Sequence, residues 1–99
     1  MNTGINTKYN FTDRRIENIA LASMGFSNKR IAEILNVEET TVKKTFEELF
    51  AVLSAVDRTS MVDNARELKI FNDEIKHIVA DKYDIILPIT YEERFAVSK

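Results

Sequence analysis

Apolar residues recur at helical spacing in the first half of the chain, in stretches separated by short polar breaks. The first stretch predicts a helix that begins after Thr12, a good N-cap, and ends near Met24. Gly25 follows, at the position where a left-handed residue closes a helix. Ser27 is predicted to cap a second helix that ends at Asn36. The residues predicted to face the core in these two helices are Ile16, Ile19, Ala20, Ile31, Ile34 and Leu35.

A third, longer helix is predicted over residues 39–55, after a break of only Val37 and Glu38. A fourth is predicted over residues 59–71, beyond a polar turn. A short helix, a tight turn and a longer helix are the pattern of a helix-turn-helix motif. The inward-facing residues predicted for the third and fourth helices are Val42, Phe46, Leu49, Phe50, Leu53, Met61, Val62, Ala65 and Leu68.

The C-terminal part of the chain carries a second kind of spacing, in which apolar residues alternate by three, four and three positions. That is the spacing of a coiled-coil seam, and it predicts a dimerisation surface. Asn72 and Asp73 interrupt the seam and are an alternative helix break. Further on, Thr90 and Glu93 match a capping box for a last helix over residues 91–97. The predicted dimerisation residues are Leu68, Phe71, Ile75 and Ile78.

Composition agrees with a helical fold. Only two Gly and one Pro occur in 99 residues, which favours helices over a turn-rich sheet. The chain is 44% hydrophobic and 30% charged, a balance typical of one folded domain. We therefore predict an all-α fold with a four-helix domain over residues 12–71. Residues 1–11 are predicted to form a flexible arm, and residues 72–99 a C-terminal helical extension.

Several kinds of chemistry lack the side chains they need. The chain has no Cys and a single His, His77, so neither a thiolate metal site nor a histidine cluster is expected. Two separated glycines cannot make a phosphate-binding loop. We therefore expect no enzymatic activity and no catalytic, cofactor-binding or metal-binding residue. No apolar run approaches the length of a membrane span and the N-terminus lacks an apolar signal core, so a cytoplasmic protein with no membrane contact is expected.

The charge balance restricts any nucleic-acid binding to a local patch. The 14 Lys and Arg residues are set against 16 Asp and Glu residues, for a net charge of −2. Residues 1–56 carry equal numbers of basic and acidic side chains. A general electrostatic attraction of the whole chain to nucleic acid is therefore excluded.

Three short motifs carry a resemblance to a known family. They are Gly25-Phe26-Ser27-Asn28-Lys29 with Ile31-Ala32, then Thr41-Val42-Lys43, and then Asp57-Arg58-Thr59. With these motifs the chain resembles the LuxR/GerE-type helix-turn-helix domain of bacterial transcription regulators, over about residues 11 to 68. Sigma-factor region 4 has a similar helix-turn-helix, but the Asp57-Arg58-Thr59 turn favours the LuxR type.

The resemblance implies that the third helix enters the major groove of double-stranded DNA and that the second crosses the backbone. Lys43 and Lys44 would then face base edges or nearby phosphates, and Thr40 and Thr41 would offer hydroxyls to the backbone. Lys29, with the amides after Ser27, would hold a phosphate at a helix N-terminus. The complete set predicted to bind DNA is Ser27, Asn28, Lys29, Arg30, Thr40, Thr41, Lys43, Lys44 and Glu47.

The beginnings of the three helices depart from the family pattern. Where the family usually places Glu three residues after each of the first two helix caps, this chain has Arg15 and Arg30. These arginines are either surface substitutions without effect on function or additional phosphate contacts. The usual Ser cap of the third helix is replaced by Glu38, which is a poor capping side chain.

The third helix departs from the pattern farther along. Glu47 and Glu48 stand where the family commonly has basic or polar residues. Glu47 would read a cytosine amino group, pair with Lys43 one turn earlier, or mark a loss of DNA binding. Ala51 and Val52 replace a basic pair, which indicates either a larger core covered by the C-terminal extension or a protein-binding patch.

Two functions of different classes follow from these observations. The first is a small stand-alone DNA-binding transcription regulator that acts as a homodimer, because two half-sites give the affinity that one small module lacks. The alternative is a protein-binding modulator that keeps the helix-turn-helix fold and binds another transcription regulator or the transcription machinery.

Overall fold

A computed structural model describes residues 12–88, and within this range the chain forms five helices and no strand. The helices are α1 (Asp13–Ser23), α2 (Asn28–Leu35), α3 (Glu39–Val52), α4 (Arg58–Glu67) and α5 (Asp73–Lys82). The all-α prediction is confirmed. The predicted arm over residues 1–11 and the predicted last helix over residues 91–97 lie outside the described residues.

The first two helices begin and end where their sequence signals place them. The Thr12 hydroxyl accepts a hydrogen bond from the Arg15 amide at 3.2 Å, and the Ser27 hydroxyl accepts one from the Arg30 amide at 3.1 Å. After α1, Gly25 takes a left-handed conformation with φ of 91°. At the end of α2, Asn36 is left-handed with φ of 59°. Both N-caps satisfy an amide that has no partner within its helix.

Helix α3 is shorter than predicted, because it ends at Val52 and not at residue 55. Leu53 is its C-cap, and Ser54 then turns left-handed, with φ of 54°. The amide of Ala55 closes the turn on the Phe50 carbonyl at 2.8 Å. At the other end Glu38 makes no side-chain capping bond, as its poor capping chemistry predicts.

Helix α4 begins with a capping box that was not predicted from the sequence. Asp57 and Ser60 form a capping box, in which the Asp57 carboxylate accepts from the Ser60 amide at 2.8 Å and the Ser60 hydroxyl accepts from the Asp57 amide at 3.2 Å. Hydrogen bonds from the amide and from the side chain of Ser60 lower the pKa of the Asp57 carboxyl below its ordinary value. The helix therefore begins at Arg58, one residue before the predicted start.

Helix α1 lies at the centre of the described structure, and all four other helices pack against it. Its middle turns contribute Ile19, Ala20 and Leu21, all of which are completely buried. Helices α2 and α3 also pack directly against each other, as a helix-turn-helix requires. The other buried apolar residues of the core are Ala22, Met24, Phe26, Ile31, Ala32, Leu35, Val42, Phe46, Leu49, Leu53, Met61, Ala65, Ile70, Phe71, Val79 and Ala80.

A continuous heptad helix over residues 68–78 is not formed, so that prediction is wrong, and the alternative of a helix break at Asn72 and Asp73 is confirmed. Helix α4 ends at Glu67, Lys69 is left-handed with φ of 63°, and Asn72 caps the separate helix α5 through a 2.8 Å bond to the Ile75 amide. Phe71 turns into the core, where it is 2% exposed. Of the four predicted residues, Leu68 and Ile78 stay exposed and Ile75 is partly buried against the core. Dimerisation itself stays a prediction.

A buried carboxylate fixes the described part of the C-terminal extension to α1. Glu17 is 6% exposed, and it accepts hydrogen bonds from Lys82 Nζ and, at 2.7 Å, from the Tyr83 hydroxyl. Arg14 Nε lies 3.5 Å from the same carboxylate. Because a buried charge is stable only when it is paired, these contacts hold α5 and the start of the tail against the central helix.

Candidate nucleic-acid interface

Helix α3 separates its apolar and polar residues onto opposite faces. Val42, Phe46 and Leu49 point into the core and are at most 3% exposed. The opposite face follows from the helical period of 3.6 residues, because positions 40, 43, 44 and 47 fall together one and two turns apart. The predicted residues of α3 are all exposed; they are Thr40, Thr41, Lys43, Lys44 and Glu47.

The N-terminus of α2 holds the second group of predicted residues. Ser27 uses its hydroxyl for the capping bond to the Arg30 amide, which leaves the amides of Asn28 and Lys29 in the first turn without an intrahelical acceptor. Lys29 is exposed. Exposed amides and a lysine at a helix N-terminus suit an anion such as a phosphate oxygen. Since α2 packs on α3, the two groups lie on adjoining helices.

Arg58 joins three parts of the helix-turn-helix. Its guanidinium donates hydrogen bonds to the Phe26 carbonyl and to Asn28 Oδ1, and it lies 4.8 Å from the centre of the Phe46 ring. Burial lowers the pKa of this guanidinium from its ordinary value. The first residue of α4 thereby holds the beginning of α2 and the buried side of α3, and it fixes the orientation of the Asn28 amide.

The two unexpected arginines both pair with carboxylates. Arg15 Nη2 lies 2.9 Å from Glu48 Oε1 and so connects α1 to α3, whereas Arg30 Nη1 lies 3.3 Å from Glu33 within α2. Arg15 is thus directed toward a neighbouring helix. The Arg30 side chain is 39% exposed. Its Nε atom is buried and has no hydrogen-bond partner in the described part of the chain.

Glu47 and Glu48 occupy different environments despite being neighbours. The charge of Glu48 is balanced by Arg15, but Glu47 is exposed, and within residues 12–88 no ion pair connects it to Lys43. The predicted pairing of Lys43 with Glu47 is therefore not formed in this structure. Glu47 adds an unbalanced negative charge to the outer face of α3, one turn beyond the two lysines.

Apolar side chains are exposed where α3 ends. Val52 is 44% exposed, and Val56 in the following turn is 87% exposed. Phe50 is only partly buried and stacks on Phe46 with ring centres 6.3 Å apart. The described part of the C-terminal extension, up to residue 88, leaves Val52 exposed, because α5 packs on α1.

Residues 12–88 contain no group of three His, Cys, Asp or Glu side chains that could hold a metal ion. His77 is exposed on α5. None of the helices between residues 12 and 88 is both long enough and apolar enough to cross a membrane.

Three contacts that fix the helices around the site are not predicted by the sequence. In the sequence Arg58 is marked only as part of a motif, and the contact between Arg15 and Glu48 joins residues 33 positions apart. Glu17 interrupts the apolar stripe of α1, which is the one signal that could have marked it as a buried anchor. No periodicity along the chain predicts which distant partner such a residue finds.

Comparison with known proteins identifies the family. The family model of the bacterial regulatory proteins of the luxR family, also called GerE, matches residues 9–65, which are more than half of the chain. No curated protein and no solved structure matches the chain. The match spans α1, α2 and α3 and most of α4, and it agrees with the helix-turn-helix arrangement of these elements. The chain belongs to the LuxR family of bacterial regulatory proteins.

Proposed function

We propose that this protein is a small DNA-binding transcription regulator of the cytoplasm that acts as a homodimer and has no enzymatic activity. Helix α3 is the recognition helix and enters the major groove of double-stranded DNA. Helix α2 crosses the phosphate backbone beside it. Family membership supports DNA binding as the general activity.

The outer face of α3 is the observation that carries the proposal. Thr40, Lys43 and Lys44 are exposed on this face. The opposite face of the same helix is buried in the core, which holds the helix in place. Lysines at these positions can donate to guanine edges or to phosphates, and the threonine hydroxyl can bond to the backbone. Lys29 adds a phosphate contact from the N-terminus of α2.

The proposal is tested by selecting binding sites from random duplex DNA with the purified protein at low and moderate salt. We expect a palindromic motif, because a two-fold symmetric dimer reads two half-sites. For four to six phosphate contacts, the slope of log K against log salt should be roughly −4 to −5.

A double variant with matched charge gives the control. Lys43→Ala/Lys44→Ala should abolish the selected motif, whereas Lys69→Ala/Lys76→Ala removes the same charge outside α2 and α3 and should retain it. Failure of the unmodified protein to retain DNA at low salt would contradict the proposal. Equal losses in the two double variants would contradict the role of α3.

A protein-binding function is the second candidate, and the end of α3 favours it. Val52 and Val56 expose apolar surface beyond the unbalanced charge of Glu47. An exposed apolar patch of this kind is typical of a surface for another protein, here a transcription regulator or the transcription machinery. Val52→Ser/Val56→Ser should abolish such an interaction and leave DNA binding unchanged.

A further inference from the structure

A shallow groove runs between α1 and α5, on residues that do not belong to the recognition helix. Its volume is about 320 Å³, and it is lined mainly by apolar side chains. Ile78 is 58% exposed at its edge, and Ile16 and Ile75 are partly buried within it. An exposed isoleucine beside an apolar groove leaves surface that association would remove from water.

Two opposite charges on α5 lie at equal spacing on either side of Ile78. Glu74 lies one turn before it and Lys82 one turn after it, so the three side chains follow one line along the helix. Glu74 has no ion-pair partner among residues 12–88. Lys82 binds Glu17 but its side chain stays 57% exposed, and an ammonium group has three donors.

We propose that the occupant of this groove is a second copy of the chain, bound through an antiparallel contact between the two α5 helices. This inference rests on the proposed function for its homodimer and assigns the surface that forms it. A two-fold axis near Ile78 brings the two Ile78 side chains together over the grooves. The same axis places Glu74 of each copy opposite Lys82 of the other, which gives two identical ion pairs.

Symmetry makes this occupant fit better than an unrelated helix would. A two-fold interface must be self-complementary, and a line with acid, isoleucine and base at equal spacing is complementary to itself only when the helices run in opposite directions. Antiparallel helices also place the acidic N-terminus of one copy beside the C-terminus of the other, which favours both helix dipoles. No residue of α2 or α3 lines the groove, so the DNA-binding face stays accessible.

The test uses the full chain in the absence of DNA, so that its failure is separate from any failure of DNA binding. Sedimentation equilibrium should show a dimer, and Ile78→Asp should raise its Kd at least tenfold. Val56→Asp is the control, because it places the same charge on a more exposed residue outside the groove and should leave the Kd unchanged. Glu74→Lys should weaken the dimer as well, and the loss should shrink at high salt.

Cross-linking tests the geometry directly, because the natural chain has no Cys. Ile78→Cys places one thiol from each copy at the axis, within the short range of a disulfide, and mild oxidation should convert it to a covalent dimer. Val56→Cys should give no covalent dimer on a non-reducing gel after the same oxidation. A chain that stays monomeric at all concentrations, as it would if residues 1–11 filled the groove, would overturn the proposal. So would a dimer that Ile78→Asp leaves intact.

Discussion

Arg15 and Glu48 join the central helix to the recognition helix, with Arg15 Nη2 only 2.9 Å from Glu48 Oε1. The Glu48 side chain is 43% exposed, so water screens the pair and it contributes little to stability. Its larger effect is electrostatic. Glu48 is held in a balanced pair beside the lysines of α3, where a free carboxylate would repel phosphate.

Replacing Arg15 by Gln should therefore affect DNA binding more than folding. We expect the free energy of unfolding to fall by less than about 1 kcal/mol. We expect affinity for duplex DNA at low salt to fall about threefold or more, because one positive charge is lost and Glu48 is freed. Fluorescence anisotropy and urea unfolding measure the two quantities. Glu48→Gln is the control and should raise DNA affinity; a decrease there would contradict the electrostatic account.

Arg58 should be the most sensitive arginine for stability. Arg58→Ala removes two hydrogen bonds from a half-buried charged group and the contact with the Phe46 ring, and we expect a loss of about 2 kcal/mol in urea unfolding. Arg58→Lys should restore only part of it, because an ammonium cannot reproduce the planar fork. Arg66→Ala is the control.

Arg66 also pairs with a carboxylate, at 2.9 Å from Asp73, and it lies 4.9 Å from the Phe71 ring centre. Its side chain is more exposed, so its loss should cost less than about 1 kcal/mol. Equal losses in the two alanine variants would show that Arg58 is not the link between α4 and the start of α2.

Local signals in the sequence predicted most of the fold, because caps and helical periodicity act over a few residues. Thr12 and Ser27 were predicted as caps and make the expected bonds, and Asn36 ends α2 in the left-handed conformation. Periodicity was misleading between α4 and α5. Phe71 continues a heptad in the sequence, but tertiary packing turns it into the core after a left-handed residue.

The candidate site was predicted less completely than the fold, for a physical reason. The exposure of Lys43 and Lys44 follows from the helical period alone, so it could be inferred without a structure. The pairing of Arg15 with Glu48, and the hold of Arg58 on Asn28, depend on how distant helices pack. Such contacts leave no spacing in the sequence from which they can be read.

Glu47→Ala distinguishes repulsion from base reading. Glu47 is exposed and unpaired by any lysine or arginine within the described residues, so it should repel phosphate whichever sequence is bound. We expect affinity to rise about threefold on specific and random duplexes alike. Site selection with the variant checks this result. Loss of a preference for one C·G pair, with lower affinity for the selected motif, would instead make Glu47 a base-reading residue.

The cluster of Glu17, Lys82 and Tyr83 should make the protein sensitive to alkaline pH. Burial, with the hydrogen bond to Glu17, raises the pKa of the Tyr83 hydroxyl above its ordinary value of 10.0. The hydrogen bond and charge of Glu17 also raise the pKa of Lys82 above 10.5. A raised pKa in the folded state gives stability that is complete below the ordinary value and is lost as the pH rises through the folded value.

Urea unfolding from pH 9 upward should therefore show a steeper loss of unfolding free energy above pH 10 for the natural chain than for Tyr83→Phe. At pH 7 the same variant should cost about 1 kcal/mol for its lost hydrogen bond. Parallel curves above pH 10 would mean that the tyrosine proton contributes nothing to holding α5 on α1.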